Sequence, residues 1–174
     1  MAISLYDISV ASYLQALGGV SGFLEVGRTH CEAKGIDPQE IVDTCLHSDM
    51  WPFHHQVVSV AHHSLGSING VREGIFNPPT LDATHDYLGL QSLIADAISA
   101  LERCSRDSVD GLEGNDLLFK AGKFELAFKA EDFVMSFSIP NLYFHATTAY
   151  NILRMRGVPL GKLNFMGQMR LQPT

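Results

Sequence analysis

The chain has 174 residues, a hydrophobic fraction of 46% and a formal net charge of -7. These values suit one globular domain over residues 1–174 with a sizeable core, and they exclude wholesale disorder. The acidic balance and the scattered Lys and Arg residues argue against nucleic-acid binding. No apolar run has the length of a membrane span, and no signal-peptide pattern is present. The three cysteines show neither a disulfide framework nor a C-x-x-C pattern. We therefore expect a cytoplasmic protein that binds no membrane.

Two helices are predicted at the start of the chain. Apolar residues at helical spacing indicate a long helix over residues 1–34, which Gly35 ends. This segment contains four glycines, namely Gly18, Gly19, Gly22 and Gly27. Glycine in a helix costs about 1 kcal/mol relative to alanine, so these positions suggest close approach of a neighbouring helix. Asp37 is a predicted N-cap, and Pro38 opens a short helix to about residue 46.

Two further long helices are predicted in the middle of the chain. The second long helix begins after Asp49-Met50-Trp51-Pro52 and has one apolar face centred on Val57. The third is capped by Thr80 or Asp82 and runs to about Cys104, where a polar linker follows.

A β-hairpin and a last helix complete the predicted fold. Apolar residues that alternate around Ala121-Gly122 indicate a small hairpin. The last helix runs over residues 131–156, ends at Gly157 and has a predicted kink or break at Pro140. We therefore predict an all-α protein, a four-helix bundle with a small β-hairpin between helices 3 and 4.

The last helix has a polar stripe on an otherwise apolar segment. At about 100° per residue one face contains Val134, Ser138, Asn141, His145, Thr148, Ala149 and Ile152. Helices that are apolar on nearly every side are usually buried. We expect His145 to face the interior, with Ser138, Asn141 and Thr148 beside it and with Asn141 and Thr148 setting its orientation. The face is either a small-ligand site or a buried structural histidine bonded to a carbonyl or another helix.

The eight histidines raise the possibility of a metal site, because neutral imidazole is a common metal ligand. On the second long helix His55 and His62 are predicted to point into solvent. His54, and to a lesser extent His63, are the predicted neighbours of His145.

Asp49, before the second long helix, is predicted to offer a carboxylate near the end of the bundle. Its pattern before an apolar run favours a helix N-cap, and the alternative is a ligand to a divalent metal.

The opposite face of the last helix contains Tyr143, Thr147, Tyr150 and Arg154. Tyr and Arg are enriched in interface cores, so this face predicts either self-association as a homodimer or packing under the protein's own tail.

Several stretches together resemble one family. They are Ser4-Leu5-Tyr6-Asp7-Ile8-Ser9-Val10, Asp49-Met50-Trp51-Pro52 with Gln56-Val57, residues 141–154 (NLYFHATTAYNILR), and Gly157-Val158-Pro159-Leu160-Gly161-Lys162 with Asn164-Phe165. The sequence resembles an uncharacterised bacterial and fungal domain-of-unknown-function family of the DinB/YfiT-like superfamily of four-helix bundles. The resemblance spans almost the whole chain and implies a DinB-like bundle.

The resemblance also implies a site. Many members of the superfamily bind a divalent metal through three histidines, one on the second helix and an H-x-x-x-H pair on the last, and some are thiol-dependent transferases or isomerases. Here Asn141 stands four residues before His145 and Ala149 four residues after it, so the pair is missing.

Three hypotheses follow. The first is a cytoplasmic homodimer that binds a small polar ligand near Asn141 and His145 without the three-histidine site. The second is a hydrolase or low-molecular-weight-thiol transferase in which His145, His54 and Asp49 or a water bind zinc, nickel or iron. The third is an interaction or stress-response module without catalysis.

Overall fold

A computed structural model of the protein describes residues 3–79 and 85–172. The α-helices are α1 (Leu5–Ile8), α2 (Val10–Lys34), α3 (Pro38–Val42), α4 (Phe53–Ala61), α5 (Ser67–Glu73), α6 (Tyr87–Glu102), α7 (Arg106–Asp110), α8 (Ala130–Phe133), α9 (Ile139–Met155) and α10 (Lys162–Met166). Two π-helical segments, π1 (His62–Gly66) and π2 (Val134–Ser138), join α4 to α5 and α8 to α9. The strands are β1 (Ile75–Phe76), β2 (Asp116–Ala121) and β3 (Phe124–Lys129).

The structure is a helical bundle with a small sheet. Helix α4 packs against α9, α2 packs against α6, and contacts between α4 and α6 and between α2 and α9 join the two pairs. β2 and β3 form the predicted hairpin, and β1 adds to β2 in parallel, in register from Ile75 opposite Leu118. No helix within residues 3–79 and 85–172 is long and apolar enough to cross a membrane.

Local chemistry at the helix ends explains several boundaries. Gly35 has a φ of 63° and donates to the carbonyls of Cys31 and Glu32, which ends α2 as predicted. The Asp37 side chain accepts from the Gln39 N–H, and Pro38 is the first residue of α3, so this N-cap is also confirmed.

Other boundaries differ from the prediction. The first helix is divided at Ser9, α3 ends at Val42, and Pro52 rather than Asp49 is the N-cap of α4. Asp86 caps α6 by accepting from the Gly89 N–H. The predicted caps Thr80 and Asp82 lie outside the described residues.

The predicted linker and tail contain short helices, and the last long helix is interrupted. Ser105 caps α7 inside the linker, and α10 lies in the tail. Pro140 is the second residue of α9, which follows π2 directly; the chain stays helical from α8 to α9, with π2 in place of the predicted break, and a kink at Pro140 stays a prediction. Proline has no N–H to donate to the preceding turn, and π-helical turns are a common way for a helix to absorb such a defect.

Candidate functional site

The centre of the candidate site is a hydrogen bond between α9 and α4. The Nδ1 atom of His145 lies 2.7 Å from Oε1 of Gln56. Nε2 of Gln56 donates to the Trp51 carbonyl oxygen at 2.8 Å, so Oε1 of Gln56 faces His145. An amide oxygen only accepts, so His145 donates from Nδ1 and its Nε2 carries the lone pair.

His145 is a neutral imidazole at physiological pH. Burial, and to a lesser degree the nearby His55, lowers the pKa of His145 to about 4. Its Nε2 atom has no hydrogen-bond partner among the described residues and is not a buried atom. Gln56 is 2% exposed, so the amide that orients His145 is itself held inside the bundle.

A second histidine, His63, stacks on His145. The two ring centroids are 5.8 Å apart and the ring planes differ by 11°. His63 belongs to π1, and its ring also packs near Phe76 and Phe137. Burial is the main cause that lowers the pKa of His63 to about 3, and the charges of its histidine neighbours act in the same direction.

Two more imidazoles extend this pair into a histidine row, defined here as His62, His63, His145 and His55. The His62 ring lies 5.5 Å from that of His63, and the His55 ring lies 6.1 Å from that of His145. Burial lowers the pKa of both His55 and His62. The row is therefore a line of uncharged rings at neutral pH.

The prediction that His55 and His62 point into solvent is wrong, because both are half-buried. The His55 ring packs 4.9 Å from that of Trp51, and its Nε2 atom lies 3.4 Å from Oγ of Ser59. His62 donates from Nε2 to the carbonyl oxygen of Asn77 at 2.7 Å. The packing of the Trp51 ring and of the segment after β1 over α4 and π1 covers these rings.

A buried hydroxyl network holds π1 and π2 together behind the row. The Tyr13 hydroxyl donates to Oγ of Ser138 at 2.9 Å, and Ser138 donates to the His63 carbonyl oxygen at 2.6 Å. Since the Tyr13 proton is used, Ser67 donates to the Tyr13 oxygen at 3.1 Å. Burial raises the pKa of Tyr13 to about 12, against the opposing effect of the two serines.

The other polar residues of the predicted stripe bond within the protein. Asn141 donates from Nδ2 to the Phe137 carbonyl oxygen, and Thr148 donates to the Phe144 carbonyl oxygen. The prediction that Asn141 and Thr148 orient His145 is therefore wrong, because each bonds a carbonyl four residues earlier in its own helix and Gln56 orients the imidazole. Ser138 lies in the hydroxyl network.

The predicted second-helix ligand does not reach the site. Nδ1 of His54 lies 3.2 Å from the Val42 carbonyl oxygen, so His54 faces α3, and the histidines beside His145 are His55 and His63. Asp49 is not the N-cap of α4, and no described hydrogen bond or ion pair joins it to His145. It pairs with His47 at 2.6 Å in an exposed loop.

The described residues do not fit the three-histidine metal centre of the wider superfamily. No group of three or more His, Cys, Asp or Glu side chains within residues 3–79 and 85–172 is arranged to hold a metal ion. Asn141 uses its amide on its own helix, and Nδ1 of His145 is bonded to Gln56. Asn141 stands where the second imidazole of the H-x-x-x-H pair would be, so the three-ligand set is incomplete.

A cavity of about 540 Å³ lies beside His62. It is lined by His62, Phe76 and residues of α5 and α6, with His145 absent from its walls. The small-ligand site near Asn141 and His145 is therefore separate from this cavity and stays a prediction.

Part of the opposite face of α9 contacts the tail. The Tyr150 ring lies 5.8 Å from that of Phe165 in α10, and Arg154 donates to the Val158 carbonyl oxygen at 3.0 Å. Packing under the protein's own tail, one of the two predicted roles, is confirmed for these residues. Tyr143 and Thr147 are exposed, and self-association through them stays a prediction.

Sequence reasoning missed Gln56 and gave His63 too little weight. Gln56 is a polar residue on the flank of the predicted apolar face, and His63 follows it by two helical turns on the same flank. A polar side chain on a core-facing stripe needs a buried partner, and that signal would have linked Gln56 to His145.

Comparisons with known proteins agree with this fold. The family described as Domain of unknown function (DUF1993) matches residues 5–166 of the chain. A crystal structure of a DinB family member protein from Shewanella denitrificans superposes with a TM-score of 0.83 at 23% sequence identity, over 98% of this chain and 96% of that one. No curated protein matches the sequence.

Proposed function

We propose, from the premise that the chain belongs to the DUF1993 family and has a DinB-like fold, that it binds a small neutral polar molecule at the histidine row. The ligand donates a hydrogen bond to Nε2 of His145 and packs its apolar part on the neighbouring rings. Family membership alone assigns no ligand, so the proposal depends on the geometry of the site.

The single observation that carries the proposal is the fixed tautomer of His145. Trp51 orients Gln56, Gln56 accepts from Nδ1, and the lone pair on Nε2 is left without a protein partner in the described residues. An acceptor held in place before binding costs little ordering entropy when a ligand arrives. Because the imidazole is uncharged at neutral pH, it suits a neutral N–H or O–H donor.

The neighbouring side chains supply an apolar border. Trp51 and Phe144 are each 56% exposed, and the Phe144 ring lies 5.2 Å from that of His145. Exposed aromatic rings beside a few convergent polar atoms are typical of small-molecule sites. A general-base role is disfavoured, because an imidazole with a pKa of about 4 is a weak proton acceptor at neutral pH.

The test uses a matched pair of probes, indole with its N–H donor and 1-methylindole without one. Imidazole ¹⁵N NMR follows Nε2 of His145 during titration of each compound. We expect indole, and not 1-methylindole, to shift this resonance. Gln56→Leu removes the acceptor for Nδ1 and should weaken indole binding about tenfold, the effect of one hydrogen bond.

Gln39→Leu is the matched control, because Gln39 is exposed on α3 and bonds only to Asp43 and the Asp37 cap. It should leave indole binding unchanged. Equal binding of both probes, or an unchanged affinity for indole in Gln56→Leu, would contradict the proposal.

A further inference from the structure

His63 has an unpartnered nitrogen deep in the protein. The residue is 6% exposed, and its Nδ1 atom is buried without a hydrogen-bond partner in the described residues. A buried N–H without an acceptor is rarer and costlier than an acceptor without a donor. The neutral ring therefore carries its proton on Nε2 and leaves a bare lone pair on Nδ1.

The two stacked histidines are consequently of opposite type. His145 is protonated on Nδ1 and accepts at Nε2, whereas His63 is protonated on Nε2 and donates there. Their rings are nearly parallel, with an interplanar angle of 11°. Each Nδ1 faces the protein, and neither Nε2 is buried or bonded within the described residues. Together the stacked rings offer one donor and one acceptor that are unbonded within the described residues.

We propose that this pair selects ligands that carry a neighbouring N–H and C=O, such as an amide or lactam. The ligand N–H donates to Nε2 of His145, and the ligand carbonyl oxygen accepts from Nε2–H of His63. This inference rests on the proposed function, because it adds His63 to the same site and names the ligand class.

The surroundings favour an uncharged amide over a carboxylate. The described hydrogen bonds and ring contacts of the row involve serine, glutamine, aromatic rings and backbone carbonyls, and none involves Lys or Arg. An anion would lack the cation that usually compensates its desolvation. An amide can bond both Nε2 atoms without bringing a charge into the site.

The test adds oxindole, a lactam with the shape of indole and an additional carbonyl, to the indole titration. We expect wild-type protein to bind oxindole about tenfold more tightly than indole, since one hydrogen bond is gained. His63→Phe keeps an aromatic ring on His145 but has no donor, so the two affinities should become equal while indole binding persists. His47→Phe, at an exposed site, should keep the tenfold preference.

The outcomes separate the two proposals. If no probe shifts the His145 resonance, both are overturned. If indole binds through His145 and oxindole has no advantage, or the advantage survives His63→Phe, this inference alone is overturned. Should His63→Phe fail to fold by circular dichroism, the ¹⁵N shifts of wild-type His63 decide: protonation at Nε2 supports the pair, and protonation at Nδ1 overturns it.

Discussion

Two adjacent histidines of π1 have opposite environments. His62 lines the cavity of about 540 Å³ and donates from Nε2 to the Asn77 carbonyl oxygen. His63 faces α9, stacks on His145 and has a buried nitrogen without a partner in the described residues. The cavity therefore lies beside the imidazole that bonds the backbone, and the proposed binding surface lies beside the imidazole whose Nε2 atom is unbonded within the described residues. An unbonded donor, rather than volume, indicates where a ligand would gain a hydrogen bond.

Successive residues of a helix point about 100° apart, so His62 and His63 of π1 face different sides. Bonds from i to i+5 widen the turn and shift the residues after it around the axis, and such turns are frequent at functional sites. Ser138 of π2 donates to the His63 carbonyl oxygen, so the two π segments meet at the His63 side. The hydroxyl network gives that side a buried support that His62 lacks.

The largest expected effect comes from removing the wall that both histidines share. Phe76 is 3% exposed, and its ring lies 4.5 Å from that of His62 and 5.6 Å from that of His63. Phe76→Ala should lower the free energy of unfolding by about 3–5 kcal/mol, because it leaves a core cavity. Urea denaturation measures this. Phe124→Ala, at a side chain 74% exposed, is the control and should change stability little; a similar loss there would contradict the assignment.

A smaller loss of stability should distinguish the His63 side of π1 from the His62 side. Tyr13→Phe removes the hydroxyl that joins Ser67 to Ser138, and it should cost about 1–3 kcal/mol because buried serine oxygens lose a partner. The loss should be accompanied by changed ¹⁵N shifts of His63 and unchanged shifts of His62. Tyr143→Phe, at an exposed ring, is the matched control in the same urea experiment. Equal changes at both histidines would mean that the network does not support one side selectively.

Much of the fold could be predicted from local chemistry. Gly35, the Asp37 cap and the turn at Ala121-Gly122 were predicted correctly because each depends on a few adjacent residues. The predicted close approach at the glycines of the first helix is confirmed for two of the four. A Cβ on Gly27 would collide with the Tyr87 hydroxyl and one on Gly19 with the Phe165 carbonyl, whereas Gly18 and Gly22 face open space.

The site was harder to predict because its geometry depends on tertiary contacts. The neighbours assigned to His145 included His54 and omitted His55, because the buried side of α4 also contains Gln56 and Ser59, which only the packing of α4 against α9 reveals. β1 has two residues and pairs in parallel with a strand far away in sequence, which leaves no periodicity to detect. The polar stripe on the last helix did identify His145. No periodicity in the sequence paired it with Gln56, because the two residues are brought together only by the packing of α4 against α9.

The pH dependence of stability gives the finest comparison of His62 and His63. A folded-state pKa below the ordinary 6.5 means that the unfolded chain binds more protons, so stability is complete above about pH 6.5 and is lost as the pH falls toward the folded pKa of about 3 for His63. Each such group contributes a slope of up to about 1.4 kcal/mol per pH unit in that window. His63→Phe should therefore flatten the curve of unfolding free energy against pH.

His62→Phe should flatten that curve less, because the hydrogen bond to Asn77 raises the pKa of His62 and offsets part of the effect of burial. Urea unfolding between about pH 5.5 and 6.5 reports mainly on the histidines, since Asp7 and Glu25, whose pKa values are lowered to about 2 by Arg106 and Arg28, affect stability only once the pH falls to about 5 and their unfolded carboxyl groups begin to bind protons. Equal slopes for the two variants would mean that π1 places both rings in equivalent surroundings. A flatter curve for His63→Phe would support the unequal burial on which the proposed binding surface depends.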